Sequence, residues 1–171
     1  MEGFKEWHDF YLVIGTAAAT LIGAMFVVAS IGGRFINQTP SGSIGLRIFT
    51  TPTVMNLAVV LFGCALVFVP VLSARGFGVV MGAGAVIGLI YAGRNAFHIA
   101  KRESHWSDHL WYAAAPFAAY ALASGAAVLL LLDRLEGIEI FAAALGLSLA
   151  AGVRNAWDLI IFFVGQPPEP D

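Results

Sequence analysis

Arg154 and Asp158 lie four residues apart in a stretch, Gly152 to Ile161, whose one other polar side chain besides the Trp157 indole is Asn155. On a helix that spacing puts a guanidinium and a carboxylate on one face, where they can pair. Arg94 and His98 have the same spacing, and Asn95 follows Arg94 as Asn155 follows Arg154. Ionisable groups at membrane depth cost about 2.5–3.5 kcal/mol on insertion scales, so each needs a physical reason. Arg94, Asn95, His98, Arg154, Asn155 and Asp158 therefore form a candidate polar intramembrane cluster. Its arginines would favour an anion or a lipid phosphate, and Asp158 or His98 could carry a proton. The plainer account is that the arginines snorkel to the headgroups and Arg154 pairs with Asp158 to lock its helix.

A second group is His98, His105, Asp108 and His109. Imidazole and carboxylate donors would suit zinc or iron, so a metal or haem is the cofactor this group would imply. The stronger signatures, His-Glu-x-x-His or paired cysteines, do not occur. Trp106, Trp111 and Tyr112 sit in the same stretch and read as an aromatic belt at headgroup level. Near the N-terminus Trp7, His8 and Asp9, with Glu6 and Tyr11, read as a matching interfacial anchor on the opposite face. The sequence has no nucleophile–base constellation and no phosphate-binding glycine loop, which argues against an enzyme.

The solvent that these residues meet follows from composition. Of 171 residues, 59% are hydrophobic and 12% charged, with mean hydropathy +0.82. A soluble fold of this size has too little interior to hide so much apolar surface. The expected fold class is all-α, a polytopic transmembrane helix bundle forming a single integral membrane domain over 1–171. About five spans are expected, near 10–31, 54–73, 77–99, 108–132 and 138–164, each long enough for a hydrocarbon core of about 30 Å. Asn37 to Pro52 reads as a polar break, with Pro52 at a helix start. Ser73-Ala74-Arg75-Gly76 reads as a tight turn, and Ser107-Asp108 as a cap. The N-terminus lacks a positive n-region and a clear cleavage site, so the first apolar run is expected to be retained. Pro116 should kink the fourth span near Tyr112. Thr16 and Thr20 should bond within their own helix or to a neighbour. Gly15, Ala19 and Gly23, then Gly84 and Gly88, then Gly125, read as close-packing seams, which could also serve a homo-oligomer. Cys64 is the only cysteine, and it reads as a small apolar filler.

With five crossings, Lys5, Arg75 and Arg134 fall on one side, and Arg34, Arg47, Arg94, Lys101, Arg102 and Arg154 on the other. The richer side should be cytoplasmic, leaving the N-terminus outside and the C-terminus inside. Arg34, Arg94 and Arg154 are spaced at sixty-residue steps, and Arg-Asn-Ala recurs at 94 and 154. This suggests a parallel repeat of a two-helix unit, spans two–three and four–five, behind an extra leading helix.

Thr51-Pro52-Thr53, Arg154-Asn155-Ala156-Trp157-Asp158-Leu159 and the segment His8-Asp9-Phe10-Tyr11 through Gly15-Thr16-Ala17-Ala18-Ala19 resemble a family of small, uncharacterised bacterial multi-pass membrane proteins. The resemblance implies a bacterial inner-membrane protein and carries no activity. A net charge of −2 excludes a nucleic-acid binder. The residues favour a non-catalytic membrane module, an assembly partner or a binder of lipid headgroups. An ion or small-solute channel or transporter is the alternative, and a metal- or haem-binding membrane protein the third reading.

Overall fold

The structure is a computed structural model that describes residues 2–36, 40–100 and 109–164, with side chains described over 4–30, 53–94, 96–97 and 109–161. In hydrocarbon every backbone N–H and C=O must be satisfied within the protein, and helices do this without a partner. The described chain is accordingly helical: α1 (Glu2–Glu6), α2 (His8–Ile36), α3 (Pro40–Val67), α4 (Ala74–Ala100), a π-helical segment (His109–Ala114), α5 (Ala115–Leu131) and α6 (Glu136–Val164). Four stretches are long and apolar enough to cross a membrane: His8–Ser30, Ala74–Arg94, His109–Leu131 and Glu136–Ile161. A shorter apolar stretch, Thr53–Val67, belongs to α3. Phe26, Phe62, Ile87 and Trp157 point outward and exposed, as a lipid-facing surface requires. The protein is a multi-pass α-helical membrane protein.

The element boundaries depart from the sequence reading in three places. First, the expected break before Pro52 is helical from Pro40 onward, so Pro52 lies inside α3 and not at its start. Pro40 instead takes the first position, where a missing N–H costs nothing. Second, α3 ends at Val67, six residues short of Ser73. Pro70 disfavours helical backbone at Val69, and the chain closes with tighter bonds from Phe68 N–H to Ala65 and from Val69 N–H to Leu66 (3.1 and 3.2 Å). Third, α4 starts at Ala74, because Ser73 acts as its cap: Ser73 Oγ accepts from Gly76 N–H at 3.0 Å. The segment read as a tight turn is the first turn of the helix.

At Pro116, where a kink near Tyr112 is expected, the structure shows a change of helix type. Pro116 cannot donate to the Tyr112 carbonyl, and the wider π-helical turn His109–Ala114 lies immediately before α5. At the other end of α5, Asp133 takes a left-handed φ of 59°, which Asp tolerates better than most residues. Arg134 N–H then reaches the Leu129 carbonyl and Asp133 N–H the Leu130 carbonyl (2.8 and 3.2 Å), closing the α5 terminus and turning the chain into α6.

Helix α6 is the centre of the bundle. It packs along α5 and touches α3, α2 and the π-helical segment, while α4 rests almost wholly on α5 and the π-helical segment. The lateral order is therefore α4, α5, α6, α3, α2. The pairs suggested by the sixty-residue echo pack differently, since α5 and α6 lie against each other along their length and α3 and α4 barely touch.

The end formed by α1, the start of α2 and the α5–α6 turn is closed by aromatic side chains. Phe4 packs edge-on to Phe77 at 5.1 Å, and Phe77 edge-on to Phe141 at 5.0 Å. The fully buried Tyr11 hydroxyl donates to the Ile138 carbonyl at 3.0 Å. Arg75 and Asp133 pair through two bonds, Nε to Oδ1 at 2.7 Å and a guanidinium NH2 to Oδ2, and so join α4 to the α5–α6 turn. Thr16 and Thr20 donate to the Leu12 and Thr16 carbonyls of their own helix (2.7 and 2.9 Å).

Of the expected glycine seams, Gly15 packs on Cys64 and Gly88 on the Tyr120 ring, but Gly23, Gly84 and Gly125 face open space. The tightest backbone approach is at Gly137, where a Cβ would lie 2.6 Å from the Ala126 carbonyl oxygen. Gly137→Ala should force α5 and α6 apart and cost about 1–3 kcal/mol. Thermal unfolding in mild detergent should show a lowered Tm for this variant and an unchanged or raised Tm for Gly125→Ala.

Candidate functional site

The site develops from the second half of α6, where the helix leaves the aromatic end behind. Arg154 and Asp158 pair as their spacing requires, guanidinium to carboxylate on one face. Both side chains remain partly accessible, 37% and 29% exposed. The Tyr112 hydroxyl, carried by the π-helical segment, lies 3.5 Å from Asp158 Oδ2. Beside the pair a shallow, open groove is lined along α6 by Gly146, Leu149, Ala150, Val153 and Trp157 and from the π-helical segment by Trp111. The groove is apolar except where Arg154 enters it.

Asn155 is buried, and at three residues beyond Gly152 and seven beyond Ser148 it shares the side of α6 on which those two residues meet α3. It is buried together with Ser148 on α6 and with Thr53 and Asn56 on α3. Asn56 Nδ2 donates to the Ser148 carbonyl at 2.7 Å. The two helices come close because Gly152 has no side chain: a Cβ there would lie 2.6 Å from Leu57 Cδ2. The contacts of Gly63 with Leu145 and of Leu57 with Gly152 set an antiparallel register in which Thr53 falls level with Asn155 and Ala156, while the Asn56 side chain reaches back along α6 to the Ser148 carbonyl. Asn56 Oδ1 and Asn155 Oδ1 are buried without a hydrogen-bond partner.

The remaining candidates are dispersed. Arg94 is exposed on α4, and α5 with its π-helical lead-in packs between α4 and α6. Arg94 and Arg154 therefore lie on helices that α5 and its lead-in separate. Asn95 and His98 lie on α4, with side chains outside the described residues. Of the candidate metal ligands, His105 and Asp108 are outside the described residues, as is Trp106, and His109 is half-buried at the start of the π-helical segment. Among the described residues no three His, Cys, Asp or Glu side chains gather in a way that could hold a metal ion. Trp111 and Tyr112 are half-buried against α6 and contribute to the groove and the ion pair. Trp7 packs edge-on to Phe10 at 5.5 Å, and His8, exposed, lies against Phe68 at 4.6 Å and 3.6 Å from the exposed Asp9.

The pairing of Asn56 with Ser148 was not anticipated from sequence. Its signal was present as Thr53–Asn56 and Ser148–Gly152–Asn155, polar and small residues at helical spacing in two apolar stretches. No protein-family model, curated protein or solved structure matches this chain.

Removing one member of the half-buried pair leaves the other charge without its counterion. Arg154→Ala should destabilise the protein more than Arg154→Ala combined with Asp158→Ala. A double-mutant cycle on thermal unfolding should return a coupling on the order of 1 kcal/mol, reduced from that of a buried pair by partial solvation.

Proposed function

We propose that this chain is a non-catalytic membrane module that holds a phospholipid, with the headgroup at Arg154 and Asp158 and an acyl chain along the α6 groove. The observation that carries this reading is the join between an apolar groove and an ion pair at its end. From Gly146 to Trp157 the groove follows α6 for roughly 16 Å at 1.5 Å per residue. That is about half of a hydrocarbon core of about 30 Å, the depth of one leaflet. Trp111 and Trp157 supply the amphipathic rings favoured at headgroup level.

The pair carries both charges, so it can meet a zwitterionic headgroup by exchange of partners. Arg154 would take the phosphate, a use to which the planar guanidinium is suited, and Asp158 would take the ammonium. Tyr112 stands close enough to Asp158 to steady the carboxylate during that exchange. The basic residues clustered on this side support placing the Arg154 end in the cytoplasmic leaflet, with the N-terminus outside. In a bacterial cell that membrane would be the inner one.

Native mass spectrometry of the full chain from mild detergent should retain phosphatidylethanolamine. Arg154→Ala should abolish retention of any phospholipid, whereas Asp158→Asn should shift retention from phosphatidylethanolamine toward phosphatidylglycerol. Equal retention by wild type and Arg154→Ala would refute the reading. For orientation, in a Cys64→Ala background, Leu135→Cys should react with an impermeant maleimide in intact cells and Lys101→Cys only after lysis.

A further inference from the structure

We infer that the contact between α3 and α6 is a hydration site, in which ordered water donates hydrogen bonds to Asn56 Oδ1 and Asn155 Oδ1. The inference is independent of the lipid reading and uses other atoms. Asn56 and Asn155 are 6% and 4% exposed, and each has an amide oxygen without a partner. Buried polar groups are otherwise almost always paired, because a lost partner is not replaced by bulk water.

The orientation of Asn56 is not arbitrary. Its Nδ2 donates to the Ser148 carbonyl at 2.7 Å, and rotating the amide would set oxygen against oxygen. Its Oδ1 is therefore committed to some other donor. Asn56 Oδ1 is an acceptor, so the species that meets it must donate, and water, which both donates and accepts, serves the Asn155 amide in either orientation. The register brings Thr53 level with Asn155 and Ala156, one helical turn from Asn56.

Charge then distinguishes water from a cation. The buried side chains of this contact, Thr53, Asn56, Ser148 and Asn155, are all neutral. The nearest carboxylate in sequence, Asp158, is already paired with Arg154. A cation would add uncompensated charge beside the Arg154 guanidinium in a medium of low dielectric, whereas water supplies the donors without charge.

Water-edited solid-state NMR on the full chain in phosphatidylethanolamine–phosphatidylglycerol vesicles tests this directly. Transfer from water to the side-chain amides of Asn56 and Asn155 should build up several-fold faster than to the neighbouring buried Leu57. Build-up no faster than at Leu57 would overturn the inference. Thermal unfolding gives a second measure. Asn155→Leu should lower Tm by a few degrees because it removes a satisfied acceptor, and a raised Tm would mean the oxygen was dry. Wild-type Tm should be equal in sodium, potassium and choline chloride at matched ionic strength. A saturable, cation-specific rise that Asn155→Leu abolishes would overturn the assignment to water. Failure of Arg154→Ala to lose lipid would leave every one of these outcomes unchanged.

Discussion

Close backbone approach around α6 is the condition on which the rest depends. In lipid the apolar faces of two helices gain little by meeting, because the solvent is as apolar as they are. What holds such helices together is contact area at short range and a few hydrogen bonds. Gly137 brings α6 against the backbone of α5, and Gly152 brings it against Leu57 of α3. Those two approaches put α6 between its neighbours, and the polar features of the structure are arranged along it. The Tyr11–Ile138 bond lies near its first turn, Ser148 and Asn155 on its α3 side, and Arg154 and Asp158 beside the π-helical segment.

The two ends of the bundle are built differently. At the α1 end, aromatic side chains interlock and Arg75 ties α4 to the α5–α6 turn. At the other end the ion pair is half-open, next to a groove lined by a tryptophan of the π-helical segment.

Much of this was legible in the residues. Apolar runs bounded by turn residues located the later spans closely, with α6 running Glu136–Val164 against an expected 138–164. The Arg154–Asp158 pair followed from a spacing of four on a helix, and the distortion before Pro116 from a missing N–H. The start of α3 was not legible, because Ser, Gly and Thr ahead of Pro52 resemble a loop when tertiary context is unknown. The Asn56–Ser148 bond was hidden for another reason. It depends on which helices are neighbours, and five helices apolar on nearly all sides leave little in their pattern to choose among pairings. The sixty-residue echo was misleading in the same respect, since similar strings of residues lie on helices with different partners.

The π-helical segment has one more effect. A wider turn accommodates one residue beyond the α-helical count, and one residue corresponds to roughly 100° of azimuth about the helix axis. Everything on the N-terminal side of Ala114 is thereby rephased relative to the Ala119–Ala123–Ala126 stripe that α5 buries. Without that slip, Trp111 and Tyr112 would present a different azimuth from the one that faces α6. The proline that forbids a regular helix at this point therefore also aims a tryptophan and a tyrosine, so that a defect in one helix sets the aromatic wall of a groove on another.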